Sequence, residues 1–123
     1  MWRLMLLAGA GGFIGTCCRF LINRLFAFYY REAFPLATFL INVLGCLIFG
    51  MLFGWLNRSG VVPPKLNAFL IVGFCGGFTT FSTFSFESFT LGMTGELFIS
   101  MSYIALSIVL GLLAVWVGMQ ITQ

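Results

Sequence analysis

Four long apolar runs separated by short polar stretches set the pattern of the chain. Each run reaches the ~20 residues that an α-helix needs to cross a hydrocarbon core at ~1.5 Å per residue. The pattern predicts membrane-spanning helices over about Leu4 to Phe28, Ala37 to Leu56, Leu66 to Leu91 and Leu97 to Ile121. The connections are then Tyr29 to Leu36, the turn-rich Asn57 to Lys65 with Pro63 and Pro64, and the short Gly92 to Glu96. Arg3 followed by an apolar run also opens like a secretory signal. The pattern recurs three more times, however, and no small-residue cleavage site precedes a soluble body, so the first segment is expected to be retained. The expectation is an all-α membrane protein with four transmembrane helices per subunit, residues 1–123 forming one domain.

The third run departs from the other three. Residues 73–87 read Gly-Phe-Cys-Gly-Gly-Phe-Thr-Thr-Phe-Ser-Thr-Phe-Ser-Phe-Glu, placing adjacent glycines, five hydroxyls and a carboxylate in the middle of a span. Polar, glycine-broken backbone is tolerated at membrane depth only where protein buries it or where it lines a wet path. The third helix is therefore expected to break at Gly76-Gly77 and restart at the threonines. Freed amides and the positive helix end would offer contacts to an anion there, and exposed carbonyls would offer contacts to a cation.

Phe78, Phe81 and Phe84 recur at a spacing of three, which stacks the rings along one helical stripe, with Thr79, Thr80, Ser82, Thr83 and Ser85 on flanking faces. The ring edge is the positive part of the phenylalanine quadrupole, and hydroxyls can direct protons at an acceptor, so both can solvate an anion without a formal charge. A lysine or arginine in the path would hold a small hard anion too tightly to release it. Taken singly, each Phe is equally a lipid-facing side chain and each Thr a self-bonded one; the whole run together points to a pathway. Thr38 and Asn42, four apart in the second span, and Tyr103 and Ser107, four apart in the fourth, are further candidates to line it. Interhelical glue is the other use of Asn42, an interfacial anchor that of Tyr103. Arg19 and Glu87 are the ionisable groups at depth, each expected to face protein or water, with snorkelling the alternative for Arg19 and a partnered structural role for Glu87.

Composition agrees with a membrane setting: 61% of residues are hydrophobic and 7% charged, and the mean hydropathy is +1.11. Cys17, Cys18, Cys46 and Cys75 fall inside spans without a Cys-x-x-Cys pair, and with no histidine in the chain they read as small buried residues, not as a zinc site. Charge leaves orientation open. One side carries Arg3, Arg58 and Lys65 and the other Arg24 and Arg31; this is consistent with insertion either way up, and equally with a weak bias completed by the amino terminus. Gly11 and Gly15, Gly50 and Gly54, and Gly73 and Gly77 lie four apart, which lets helices approach closely, either within a subunit or at a dimer seam. With so little interior in a four-span chain, a pathway is expected between subunits.

The motif at 73–87, the Gly-Gly-x-x-Gly-x-x-x-Arg at 11–19 and the Pro35 to Gly45 segment with Thr38 and Asn42 together resemble the Fluc (CrcB) fluoride channel family. The resemblance covers the whole chain. It implies an antiparallel, dual-topology homodimer in the plasma (inner) membrane of a prokaryote that exports fluoride passively through two pores, with a structural sodium ion at the dimer centre. By motif position Phe81 and Phe84 look like ring-edge fluoride contacts. Thr38, Asn42 and Ser107 look like polar lining, and Thr80, Ser82 and Thr83 like a hydroxyl track. Gly76 and Thr79 are similar in position to the carbonyl donors to sodium, and Arg19 to a vestibule arginine. Two departures stand out. Ala37 replaces the usual glycine before Thr38, and the Gly-Ser pair frequent in the last span falls on Leu110 and Gly111, which removes a hydroxyl beyond Ser107. Some members work as heterodimers, so a paralogous partner subunit also fits.

A small proton-coupled multidrug exporter would share the architecture but needs a buried acid shared by proton and substrate; spans one and two have none, and Glu87 is the one deep candidate. A non-transporting assembly subunit is a third class. An enzyme fits least, because no nucleophile has a base, metal or phosphate loop beside it.

Overall fold

The computed structural model describes every residue from Met1 to Gln123 and is built from helices alone. The first helix is Trp2–Tyr29, the second Leu36–Leu56 and the last Leu97–Thr122. Between the second and last runs the third span, in two pieces. Its leading half, 64–78, starts with Pro64 at the first helical position, where the fixed φ suits the turn and the missing N–H costs nothing. It continues through an unusually long stretch of wide π turns, Asn67–Cys75, and closes with Gly76–Phe78. Its trailing half is Phe81–Met93. Four helical stretches are long and apolar enough to cross a membrane, Trp2–Tyr29, Leu36–Ser59, Pro64–Met93 and Leu97–Thr122, so the chain is a multi-pass membrane protein. The expected spans agree with these to within three residues at each end.

The break falls one turn later than the glycines. Gly76 keeps helical backbone angles, φ −63° and ψ −37°. Thr79 and Thr80 are the extended residues, with φ −80° and ψ 158° and φ −146° and ψ 120°. Branching at Cβ favours extended backbone for threonine, whereas Gly77 serves a different purpose. A Cβ there would stand 2.5 Å from the Gly12 carbonyl oxygen and 3.0 Å from the Gly12 Cα.

The same reasoning explains the other glycine pairs, which pack helices of one subunit together. Methyl groups on Gly11 and Gly15 would run into the backbone carbonyls of Phe69 and Phe74 on the leading half, and one on Gly50 into the Val115 carbonyl of the last helix. Gly73 answers Gly11 from the other side, its Cβ position 3.0 Å from the Gly11 Cα. The first helix thus lies along the leading half of the third span, the second along the last, and the trailing half also packs on the last. Small residues carry this packing because lipid supplies no hydrophobic force between helices, and close backbone approach has to supply dispersion instead.

Only 18 of 123 residues are buried, with Ile41, Phe78 and Tyr103 among them, while Leu, Phe and Trp side chains are exposed along all four spans. Too little interior exists for a wet channel inside one subunit. Substituting Gly11→Ala should destabilise the fold by about 1–3 kcal/mol through overpacking, read as a lower midpoint of thermal unfolding in detergent. Gly9→Ala, at a glycine with nothing within 4 Å of the added methyl, should leave the midpoint unmoved.

Candidate functional site

Interrupting a helix at membrane depth strands backbone donors and acceptors that have no water to turn to. The second helix answers this with Asn42. Its side-chain Oδ1 accepts from the Thr80 backbone N–H at 2.8 Å, and its Nδ2 donates to the Thr80 carbonyl at 3.0 Å. One carboxamide thereby pairs both main-chain groups of the extended residue, as a neighbouring strand would. Thr80 then starts the trailing half as its cap: its hydroxyl accepts from the Thr83 N–H at 3.3 Å and donates to the Thr83 hydroxyl at 3.1 Å. Ser82 Oγ lies 3.5 Å from the same Thr80 oxygen, so Thr80, Ser82 and Thr83 do form one hydroxyl cluster.

On the leading side of the break, Thr79 folds back, its N–H and hydroxyl both donating to the Cys75 carbonyl at 3.0 and 2.9 Å. Arg19 Nε donates to the Gly77 carbonyl at 3.0 Å, joined by the Thr16 hydroxyl at 3.4 Å. A guanidinium thus meets the negative end of the leading half-helix, where a cation is favoured. The carbonyls of Gly76 and Thr79 accept no hydrogen bond from within the subunit. Gly76 is exposed, and a Cβ there would meet nothing within 4 Å.

These elements border a groove of about 680 Å³ on the subunit surface. Gly76, Thr79, Thr80, Phe81, Phe84, Asn42 and Ser107 all line it. The Phe81 and Phe84 rings stand 6.0 Å apart, centre to centre and tilted by 42°, with Phe81 79% exposed. Ser107 Oγ is buried and has no hydrogen-bond partner in the subunit. No charged side chain lines it.

Other candidates are placed elsewhere. Thr38 and Tyr103 are closed inside the subunit, 2% and 0% exposed, around Glu87. The Thr38 hydroxyl donates to one Glu87 carboxylate oxygen and the Tyr103 hydroxyl to the other, each at 2.8 Å. This cluster touches the groove indirectly, through the edge-on contact of Tyr103 with Phe84 at 5.1 Å. Phe34 leans on the other side of Tyr103 at 5.4 Å. Thr83 and Ser82 sit on the trailing half beside Thr80, and Arg19 on the first-helix side of the break. Gly111 is buried beside the second helix, its Cβ position at an ordinary contact distance of 3.5 Å from Cys46 Sγ. Gly45 and Cys46 also line the groove, although nothing in the sequence places either in the pathway and Cys46 reads there as a small buried residue. Gly45 is needed for space, because a methyl there would run into that of Thr79.

The fold and site define a small multi-pass membrane protein with a largely apolar, uncharged groove at a broken helix, into which a few polar side chains are set. The chain belongs to the CrcB-like protein, Camphor Resistance (CrcB) family, whose model matches residues 6–119. It is 43% identical to a fluoride-specific ion channel FluC of Flavobacterium psychrophilum over 92% of this chain and 91% of that protein. Proteins of the same name from Methylobacillus flagellatus and Pseudomonas fluorescens are 40% and 39% identical over 100% of this chain and 96% and 99% of theirs.

Removing the Asn42 carboxamide should open the break. Asn42→Ala leaves a buried N–H and C=O unpaired at about 1–3 kcal/mol each, so the Thr80 amide should exchange with solvent deuterium faster than in the parent while the amides of the first helix do not. Equal protection of Thr80 in both proteins would contradict the clamp.

Proposed function

We propose that the protein is a fluoride-selective channel through which fluoride leaves the cell passively, keeping cytoplasmic fluoride low. The observation that carries this reading is the groove itself. Phe81, Phe84, Asn42 and Ser107 all line it, with no fixed charge among them. Such donors match a small anion that has to be released as readily as it is bound. The similarity to relatives named as fluoride-specific ion channels supports the same ion. Thr80, Ser82 and Thr83 form a hydroxyl cluster beside the rings, Thr38 and Tyr103 hold the Glu87 carboxylate, with Tyr103 edge-on to Phe84, and Arg19 fixes the break from the first helix.

The groove is open on one side, so a second copy is needed to close it. An antiparallel pair in the inner membrane suits a chain with nearly balanced arginine and lysine on its two ends, with a homodimer as the working form and a paralogous subunit as the variant. The Gly76 and Thr79 carbonyls, free of protein partners and unobstructed at Gly76, have the hard-oxygen chemistry that holds sodium. Bound there, the ion would neutralise the carbonyl dipoles where two copies meet. Proton-coupled export is disfavoured because Glu87, the one deep carboxylate, is held by the Thr38 and Tyr103 hydroxyls and does not line the groove.

Replacing Phe81 or Phe84 with Ile keeps most of the volume and discards the polar ring edge. A contact worth about 1 kcal/mol corresponds to about a fivefold loss of fluoride efflux from liposomes, with the dimer intact by size-exclusion chromatography. Parental flux in both variants would sink the ring-edge assignment. Prolonged exchange of sodium for an organic cation should lower the dimer's melting temperature; indifference to the exchange would remove the carbonyl site.

A further inference from the structure

The five arginines of this chain are placed differently, Arg3 over the Trp2 ring at 5.4 Å. Arg19 and Arg58 donate to backbone carbonyls at 3.0 and 2.6 Å. Arg24 and Arg31 have neither a hydrogen bond nor an ion pair within the subunit, although Glu32 follows Arg31 directly, and both border a groove of about 550 Å³ at the end of the first helix. Leu21, Arg24 or Leu25, and Phe28 are spaced at helical intervals along one stripe leading to Arg31, two residues past the helix end. Leu21, Leu25, Phe28 and Tyr29 are 61%, 59%, 76% and 82% exposed. Apolar surface therefore runs from the membrane interior up to two unpartnered guanidinium groups at the level where headgroups lie, with Tyr29 as an interfacial aromatic between them.

We propose that this groove binds an anionic phospholipid, its phosphate on Arg24 and Arg31 and an acyl chain along Leu21, Leu25 and Phe28. Free phosphate would meet the same guanidinium groups but would gain nothing from the apolar stripe. A zwitterionic lipid would gain the stripe but brings its own cation against the two arginines. Guanidinium matches phosphate oxygens bidentately, and each basic group near the surface adds to the attraction for anionic headgroups. Nothing in this site depends on which ion the protein conducts.

The purified protein in neutral detergent would be titrated with dioctanoyl-phosphatidylglycerol or dioctanoyl-phosphatidylcholine, binding being followed by thermal unfolding. The parent is expected to bind the anionic lipid about tenfold more tightly. Arg24→Gln/Arg31→Gln should bind both lipids alike, Arg24→Lys/Arg31→Lys should recover most of the preference, and Arg3→Gln should keep it. If the double glutamine variant does not fold, the two single variants are read the same way. Equal affinities in the parent, an undiminished preference in the glutamine variants, or displacement of the lipid by inorganic phosphate at equal concentration would each overturn the proposal.

Discussion

The two hydrogen bonds from Asn42 to the backbone of Thr80 are the constraint on which the rest of the site depends. A helix can be broken inside a bilayer only if something replaces the bonds it loses. Here one side chain from a neighbouring helix replaces a donor and an acceptor at once. The hydroxyl of Thr80 starts the helix again, while Arg19 and Thr16 satisfy the Gly77 carbonyl from the opposite flank. Once those groups are paired, the carbonyls of Gly76 and Thr79 and the hydroxyl of Ser107 are still without a partner in the subunit. All three residues line the open groove.

The glycines make that arrangement reachable. Gly11 and Gly15 let the first helix lie against the leading half of the third span at backbone contact, and that approach delivers Arg19 to Gly77. Gly45 leaves room beneath Thr79. On the far side, Ser100 donates to the Ser88 carbonyl at 2.7 Å and so fixes the trailing half on the last helix. With both halves held by different neighbours, Thr79 and Thr80 span a junction that is rigid although it is not helical.

Much of this was legible in the residues. The spans followed from hydropathy, since helix length in a bilayer is dictated by its thickness. That the third span would break was also readable, because adjacent glycines and a dense run of hydroxyls conflict with an uninterrupted lipid-facing helix. Where it breaks was not readable. Gly76 and Gly77 carry the local signal, yet tertiary contact with Gly12 uses the glycine, and the extended backbone passes to Thr79 and Thr80. The fate of Thr38 and Tyr103 was hidden for a similar reason. A carboxylate at depth requires donors, and these two hydroxyls are the ones Glu87 takes, but they are distant in sequence and only the packing of the second and last helices brings them to it.

The groove carries no fixed charge, and the ion proposed to pass it is a small, strongly hydrated anion. The most direct test is efflux from liposomes containing the purified protein, loaded with potassium fluoride and potassium chloride and followed with ion-selective electrodes after valinomycin opens a path for potassium. Rapid loss of fluoride with chloride retained is the predicted result. Retention of both anions by protein that is folded and dimeric, or loss of both at similar rates, would contradict it.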